Sequence, residues 1–574
     1  MENYRTLTTG CNLCKVFLRI LCNRITAAVE RSNILGEIQN GFRKGRRASD
    51  NLLVLQTIIS YARRTKSEIR VALLDIKKGY DRVDRDILWE KMRLLGFPGG
   101  LVNLLQHVYS NPRSKLFFQD VETEPMTMPI GLRQGCVLSP ILFALYLSDL
   151  GRKLENSGLG VSLGNVRVPG MFFADDMILC GSENQLVQLL DIVSEFADQN
   201  KIEFNGPKSM VLAFGRNISR ARNMWELGHI PVHGRNHERV QMSLGSVGKY
   251  LGVTYGTSRN IFSGHYEHML TKAHRSSGVL GMLLRKVTYP ISLINKLWSI
   301  YAVPAFMYGM EVIHFTNTQL TQLEVVQKGF IKKVLHLPRS TADAGIYLTC
   351  GVDKLETVVQ RHKMNYYNYV VNCPDERWAF NAYLQQVRWC ESDNILDDNK
   401  TILRTDFKGT HYWLLDVIRI MTAWNIDNVI PRPNNEVRLL AMRSQWDYFL
   451  HELDRHNSLR FIDGVISAQD GQYHKRWHRW WLKARLGAIF LNYKKPGDDN
   501  EVSRFCPVCM REVESLEHFI TCDAYGTHLH DQNNFRFYTL QWWFSLDRTF
   551  GERSAISGFL GGRWSEREAS IMPQ

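Results

Sequence analysis

Long apolar runs are absent: nothing in this 574-residue chain approaches the roughly 18 apolar residues that span a bilayer. The opening MENYRTLTTGCNLCKVFLRIL carries polar and basic residues throughout, unlike the apolar core of a signal peptide. Cysteine is sparse too. Eleven in a chain this long do not make a disulfide scaffold, so they are expected to be reduced thiols of an intracellular protein. Neither an internal repeat nor a long low-complexity tract is present, which excludes solenoids and arrays. Acidic residues are the minority charge: 57 against 71 basic ones leave a formal net charge of +14. That excess points to a polyanionic partner, nucleic acid ahead of a membrane surface, with a merely basic soluble protein as the plain alternative. The length exceeds one hydrophobic core and suggests roughly three or four domains or subdomains.

Periodicity fills in the elements. Helical spacing marks NLLVLQTIISYARR (51–64) and DRDILWEKMRLLG (84–96), the second stopped by Gly96. Between them IRVALLDI (69–76) is β-branched and short enough for a buried strand. SKLFFQD and ETEPMTMPIG read as further strands, and LSPILFALYLSDLGRKL as one helix with Ser139 and Pro140 at its start. VRVPGMFFA and MILCG form two strands of a hairpin, followed by the amphipathic helix NQLVQLLDIVSEFADQN. From about His265 to Val371 the pattern is mainly helical. ESDNILDDNK (391–400) and KKPGDDNEVSR (494–504) are polar breaks, expected as loops or linkers.

The hairpin's tip is unusual. In MFFADDMILC two adjacent carboxylates, Asp175 and Asp176, interrupt an apolar run, and a third, Asp75, ends the strand VALLD. If the strands neighbour each other, three carboxylates converge and repel unless divalent cations neutralise them. Mg²⁺ suits such a set, being a hard ion that takes a few carboxylates plus substrate phosphates. Two ions about 4 Å apart can activate an attacking hydroxyl and stabilise a leaving oxygen in phosphoryl transfer. An Asp-Asp hairpin by itself is equally an exposed turn.

The neighbouring residues break that tie. MFFADDMIL, LLDIKKGYDRVDRDILW and GLRQGCVLSPILFALYLSDL, in this order and spacing, resemble the palm of a reverse transcriptase. More narrowly they are similar to the polymerase of non-LTR (LINE-type) retrotransposons, closely from Asn3 to about Gly256 and more loosely beyond. The resemblance implies Asp75 and Asp175 as main Mg²⁺ ligands, Asp176 as the second carboxylate of the aromatic-x-Asp-Asp box, and the Ile76 carbonyl as a further donor. It puts Tyr80 where an aromatic ring blocks a ribose 2′-hydroxyl. Gly79 departs from the family's usual alanine and should loosen the backbone beside that ring. Gln134 and Gly135 match nucleotide-pocket residues. Lys208, in EFNGPKSMVLAF, matches a lysine that neutralises or protonates departing pyrophosphate, and GKYLGV a primer-grip hairpin. NYRTLTTGCNLC resembles the first finger motif, with Thr6 for proline and Arg5 toward the triphosphate. QNGFRKGRRASDN resembles the second finger motif, and Arg43 and Lys44 are expected to add positive potential near template or nucleotide. Family members carry finger segments upstream of this point, so the chain is expected to be N-terminally truncated. Cys11 and Cys14 have no second ligand pair nearby and are expected to pack a helix.

Far downstream, CPVCMREVESLEHFITC presents Cys506, Cys509, His518 and Cys522, four soft ligands able to close one structural zinc site. It resembles the CCHC knuckle that follows the polymerase in these elements. HKRWHRWWLKARLG (474–487) interleaves basic residues with Trp477, Trp480 and Trp481, which suits single-stranded RNA or plain helix packing. No acidic nuclease motif is evident after Cys522.

The expected architecture is an α+β right-hand polymerase: fingers and palm (1–256) with an antiparallel sheet and helices, then a helical thumb-like region (257–390). A C-terminal helical basic and aromatic region (391–500), a CCHC zinc knuckle (501–530) and a tail (531–574) follow. The expected function is RNA-directed DNA polymerase with two Mg²⁺ and one Zn²⁺, acting on RNA template, DNA primer or target, and dNTPs. No membrane partner is expected, and the place of action would be the nucleus or a cytoplasmic ribonucleoprotein. The competing class is an inactive truncated derivative that only binds nucleic acid.

Overall fold

The computed structural model describes residues 11–455, apart from 111–112, 116, 119–120, 125, 128–129, 216–228, 232–238, 286–290, 406 and 408–410. Arg5, the segment 474–487 and the zinc quartet Cys506, Cys509, His518 and Cys522 therefore lie outside the described residues. None of the described helices is long and apolar enough to cross a membrane.

Two compact units emerge. Among the described residues, the first spans 11–265, 311–314 and 363–432; the second spans 266–310, 315–362 and 433–455. In the first unit, helix α1 (Asn12–Arg31) and helix α2 (Ala48–Thr65) precede strand β1 (Ile69–Asp75). Helices α3 (Arg85–Leu94) and α4 (Gly99–Ser110) follow, then the short strands β2 (Arg113–Ser114), β3 (Phe117–Phe118), β4 (Val121–Glu122) and β5 (Met126–Thr127). After them come α5 (Ser139–Tyr146), α6 (Ser148–Glu155), β6 (Val161–Leu163), β7 (Val166–Val168), β8 (Gly170–Phe173), β9 (Asp176–Gly181) and α7 (Glu183–Gln199). Strands β10 (Met210–Phe214), β11 (His229–Pro231), β12 (Arg239–Gln241), β13 (Ser243–Gly245), β14 (Val247–Tyr250) and β15 (Val253–Gly256) close this stretch.

The main sheet has the order β13-β10-β1-β9-β8, with β1 central and antiparallel to both neighbours. Val71, Ala72, Leu73 and Leu74 of β1 are all buried, as are Met177 to Cys180 of β9, so these strands are apolar on both faces. Hairpin β14–β15 turns at Leu251 and Gly252, both with positive φ. It lies so close to β1 that a Cβ on Gly248 would sit 2.4 Å from Leu73 Cδ1.

Two expectations are corrected. VRVPGMFFA is two strands, β7 paired with β6 and β8 paired with β9. Pro169, which has no N–H for a ladder, separates them. LSPILFALYLSDLGRKL is two helices, with Leu147 closing α5 and opening α6; Ser139 is the first residue of α5, whose cap is Leu138.

The second unit is helical among its described residues. It contains Ser263–Arg285 from Tyr266 onward, Ile291–Leu297 running into a π turn at Trp298–Ala302, Asn317–Val334, Asp343–Cys350 and Asn434–Arg455. Trp298 anchors it, stacking on Phe330 and donating from Nε1 to Gln327 Oε1 at 2.7 Å.

Residues 363–432 join the first unit through a buried charge. Asp50, in the first turn of α2, accepts from Arg377 Nη2 at 2.6 Å, Tyr369 Oη at 2.8 Å and Tyr366 Oη at 3.2 Å. Burial raises the Asp50 pKa even against these partners, so the pair is costly to form and costlier to break. Asp50→Ala, which leaves half-buried Arg377 with Glu37 at 3.4 Å as its remaining carboxylate and strips the acceptor from Tyr366 and Tyr369, should lose about 3–5 kcal/mol. Urea unfolding followed by circular dichroism reads this, and an unchanged midpoint would mean the aromatic packing alone holds the junction.

Candidate active site

Register places the aspartates. Asp75, the last residue of β1, is the partner of Asp176, the first residue of β9. Phe173 and Asp176 close the β8–β9 hairpin, leaving Ala174 and Asp175 as its two turn residues, with Ala174 at φ 60°. Directly opposed residues of an antiparallel pair project to the same face, so Asp75 and Asp176 share one, with Asp175 adjoining at the tip. Asp176 is exposed; Asp75 and Asp175 are half-buried.

Asp75 is fixed by its backbone. Its N–H donates to Ser209 Oγ at 3.2 Å and its carbonyl accepts from Asn205 N at 2.8 Å. Both partners flank the 3₁₀ turn Gly206–Lys208, which sets exposed Lys208 in the loop that grips the strand end. Ile76 bridges Phe204, and Lys77 N donates to Glu203 O at 2.8 Å. Alternate residues of an antiparallel strand aim N–H and C=O at opposite edges, so the Ile76 carbonyl points away from Phe204, toward the β9 side.

The turn bearing Asp175 is held by a residue that sequence reasoning missed. Gln39, 2% exposed, accepts through Oε1 from Ala174 N at 3.0 Å and from Gly41 N at 2.8 Å. A Cβ on Gly41 would lie 2.2 Å from Ala174 N, so only glycine permits this approach. Asn40 N donates to Phe172 O at 3.0 Å, and Asn51 Nδ2 reaches Phe172 O at 3.3 Å and Tyr250 Oη at 2.8 Å. The segment QNGF is thus a brace for the aspartate hairpin. Its polar, glycine-bearing composition beside a basic run gave the only signal, and the charge drew attention instead.

Arg43 is corrected. It is buried, forks onto Glu30 at 2.8 and 2.7 Å and donates to the Gln39 carbonyl at 3.0 Å, so it is a structural clamp with no charge to offer a template. Cys11 is exposed and caps α1 by accepting from Cys14 N at 3.4 Å instead of packing.

Tyr80 lies in the 3₁₀ turn Gly79–Arg82 and stacks on Phe143 of α5, with centroids 4.8 Å apart at 14°. Burial, then the charge of Asp175, push its phenol pKa well up, so it stays a neutral ring. Gly79 leaves room for that stack, since a Cβ there would be 3.0 Å from Phe143 Cζ. Leu132 N donates to Tyr80 O at 2.7 Å and Gln134 Nε2 to Asp81 Oδ1 at 2.8 Å. Gly131, at φ 85°, comes so near that a Cβ would sit 2.6 Å from Asp81 O; close approach as well as turning requires a glycine there. Gly135 is exposed at φ 96° on the same loop.

The donor set is all hard oxygen on an accessible face. That fits Mg²⁺, which keeps waters and substrate phosphates in its shell, better than it fits a closed cage. Among the described residues only His314, His411 and Asp416 bring three metal-capable atoms within 4.8 Å of one another, so the aspartates share a face without closing on a point.

Residues 1–255 match the family described as reverse transcriptase (RNA-dependent DNA polymerase). The match covers a little under half of the chain. The resemblance of the three motifs to non-LTR retrotransposon reverse transcriptases agrees with this match and with the relatives. A Pol polyprotein from type-1 retrotransposable element R2 of Popillia japonica is 25% identical over 355 residues, covering 60% of this chain and 47% of the relative. A probable RNA-directed DNA polymerase from transposon BS of Drosophila melanogaster is 23% identical, covering 64% of this chain and 40% of the relative. The chain thus spans less than half the length of both. Telomerase from Candida tropicalis aligns over 64% of this chain and 60% of its own at 12% identity and a TM-score of 0.30, too low to inform the site.

Gln39→Leu should leave the buried Ala174 and Gly41 N–H groups without their acceptor, at about 1–3 kcal/mol each. Chemical denaturation measures it. A loss under about 0.5 kcal/mol, ordinary for a surface change, would show that the turn holds itself.

Proposed function

We propose that this chain is the RNA-directed DNA polymerase of a non-LTR retrotransposon, adding dNTPs to a primer 3′-hydroxyl on an RNA template. The observation that carries it is the opposed pair Asp75 and Asp176, with Asp175 on the braced turn beside them. The net charge of +14 suits a nucleic-acid substrate.

Asp75, Asp175 and Asp176 would hold Mg²⁺, with the Ile76 carbonyl as a further oxygen donor. Bound there, the ions would supply activation of the primer hydroxyl and neutralisation of charge on the reacting phosphate. The protein's own part is positioning. Tyr80, seated on Phe143, excludes a 2′-hydroxyl by bulk. Gln134 and Gly135 line the nucleotide pocket. Lys208 offers charge or a proton to departing pyrophosphate, and Arg5 pairs with the triphosphate. Hairpin β14–β15 holds the primer end, and the CCHC residues bind one zinc ion in a module for template engagement.

Asp175→Asn keeps the side chain's size and removes its charge. Losing several kcal/mol of transition-state stabilisation should cut primer extension by about a thousandfold, roughly 4 kcal/mol, without unfolding the protein. Activity within a few-fold of wild type would end the proposal. Tyr80→Ala should raise ribonucleotide over deoxynucleotide incorporation in the same assay. An unchanged ratio would make Tyr80 a packing ring only.

A further inference from the structure

A second cluster lies in the first unit, built from residues that neither the motifs nor the proposed polymerase chemistry uses. His314 Nδ1 is 2.8 Å and His411 Nε2 is 3.0 Å from the same oxygen, Asp416 Oδ1. The two imidazole rings lie 3.7 Å apart between centroids. We propose that His314, His411 and Asp416 form a binding site for a divalent transition-metal ion of the zinc type.

Hydrogen bonding leaves one contact mismatched, because Arg419 Nη1, itself 3.6 Å from Asp416 Oδ1, also faces His411. His411 Nε2 also lies 3.3 Å from Arg419 Nη1, which can only donate. If that nitrogen carries a proton it suits Asp416 and opposes Arg419; if it carries a lone pair, the reverse holds. A cation among the three donor atoms accepts all three lone pairs at once. Arg419, whose side chain is 44% exposed, can swing into water to admit it.

The surroundings are those of a built site. Asp416 is buried, and its other oxygen is held by Lys363 Nζ at 2.9 Å, an outer partner of the kind that orients metal-bound carboxylates. Lys363, itself 2% exposed, also donates to Ile313 O at 2.7 Å beside His314. Trp413 Nε1 donates to Glu311 O at 2.8 Å, so both segments carrying the donors are already tied together.

Two imidazoles and one carboxylate with an open fourth position select zinc or a similar ion over Mg²⁺. Tetrahedral bonds of about 2.0–2.1 Å set ligand atoms roughly 3.3 Å apart, so the two imidazole–carboxylate contacts need widen by only a few tenths of an ångström. The ion would pin residues 311–314 to the start of helix Trp413–Ala423.

The test uses the full chain with Cys506 and Cys509 changed to serine, so that the CCHC residues contribute no thiolate pair. Elemental analysis after dialysis against zinc should find about one ion per chain, falling to background in His314→Ala and in His411→Gln. Cobalt loading of the unaltered histidine site should give d–d absorption without a sulfur charge-transfer band. Equal zinc content with and without the histidines overturns the site. So does a cobalt spectrum lacking d–d bands, which decides the matter even if a histidine variant fails to fold.

Discussion

The register between β1 and β9 is the constraint on which the candidate active site depends. Side chains alternate faces along a strand, so a slip of one residue would turn Asp176 away from Asp75 and bring Met177 opposite it. What prevents the slip is close packing on both faces, where exchanged side chains would no longer fit. Val71 to Leu74 and Met177 to Cys180 are buried, and each large side chain contributes about 1.5–3 kcal/mol by leaving water. Against this, like charges on opposed strand residues repel by roughly 1–4 kcal/mol even at a separation of about 4 Å, and by less when farther apart. The core outweighs the repulsion and forces the charges together at the strand ends.

Everything next to those strand ends then works through backbone contact. Gln39 accepts from the turn that carries Asp175, Asn205 and Ser209 hold the Asp75 peptide, and Leu132 holds the Tyr80 carbonyl. Such contacts demand close approach, which explains the glycines at 41 and 131 better than turn propensity does. The Tyr80 ring is fixed by a different means, stacking on Phe143 across the space that Gly79 leaves open. A ring seated that way keeps its position without a hydrogen bond to its hydroxyl.

Local patterns were legible in the sequence; partners were not. The apolar run 69–76 and the amphipathic helix at 183–199 could be read directly, because periodicity records which side faces a core. So could the hairpin at Asp175, since its flanks are apolar and its tip is charged. Arg43 failed because a sequence shows a charge and hides Glu30, its buried counterion. Gln39 was missed because a polar residue beside basic ones looks like surface. Pro169 was a visible signal left unused, for proline inside VRVPGMFFA already argues against one continuous strand. The cluster of His314, His411 and Asp416 has no motif at all, since only the folded chain brings those segments together.

Contrast between the two clusters separates their roles. The aspartates are oxygen-only, half-buried to exposed, and spread along one face, which leaves the rest of a metal's coordination to water and phosphate. In the proposed polymerase, a primer end and an incoming nucleotide would need that openness, because a closed site would exclude the reacting atoms. The histidine cluster differs in donor type and arrangement, although its imidazoles are also half-buried. Its carboxylate is buried, its outer oxygen is taken by Lys363, and its nitrogens converge on one point. An ion there could hold segments together but would have little room for a large substrate. Exposure, donor type and the fate of the second carboxylate oxygen therefore point one set toward turnover and the other toward holding the fold.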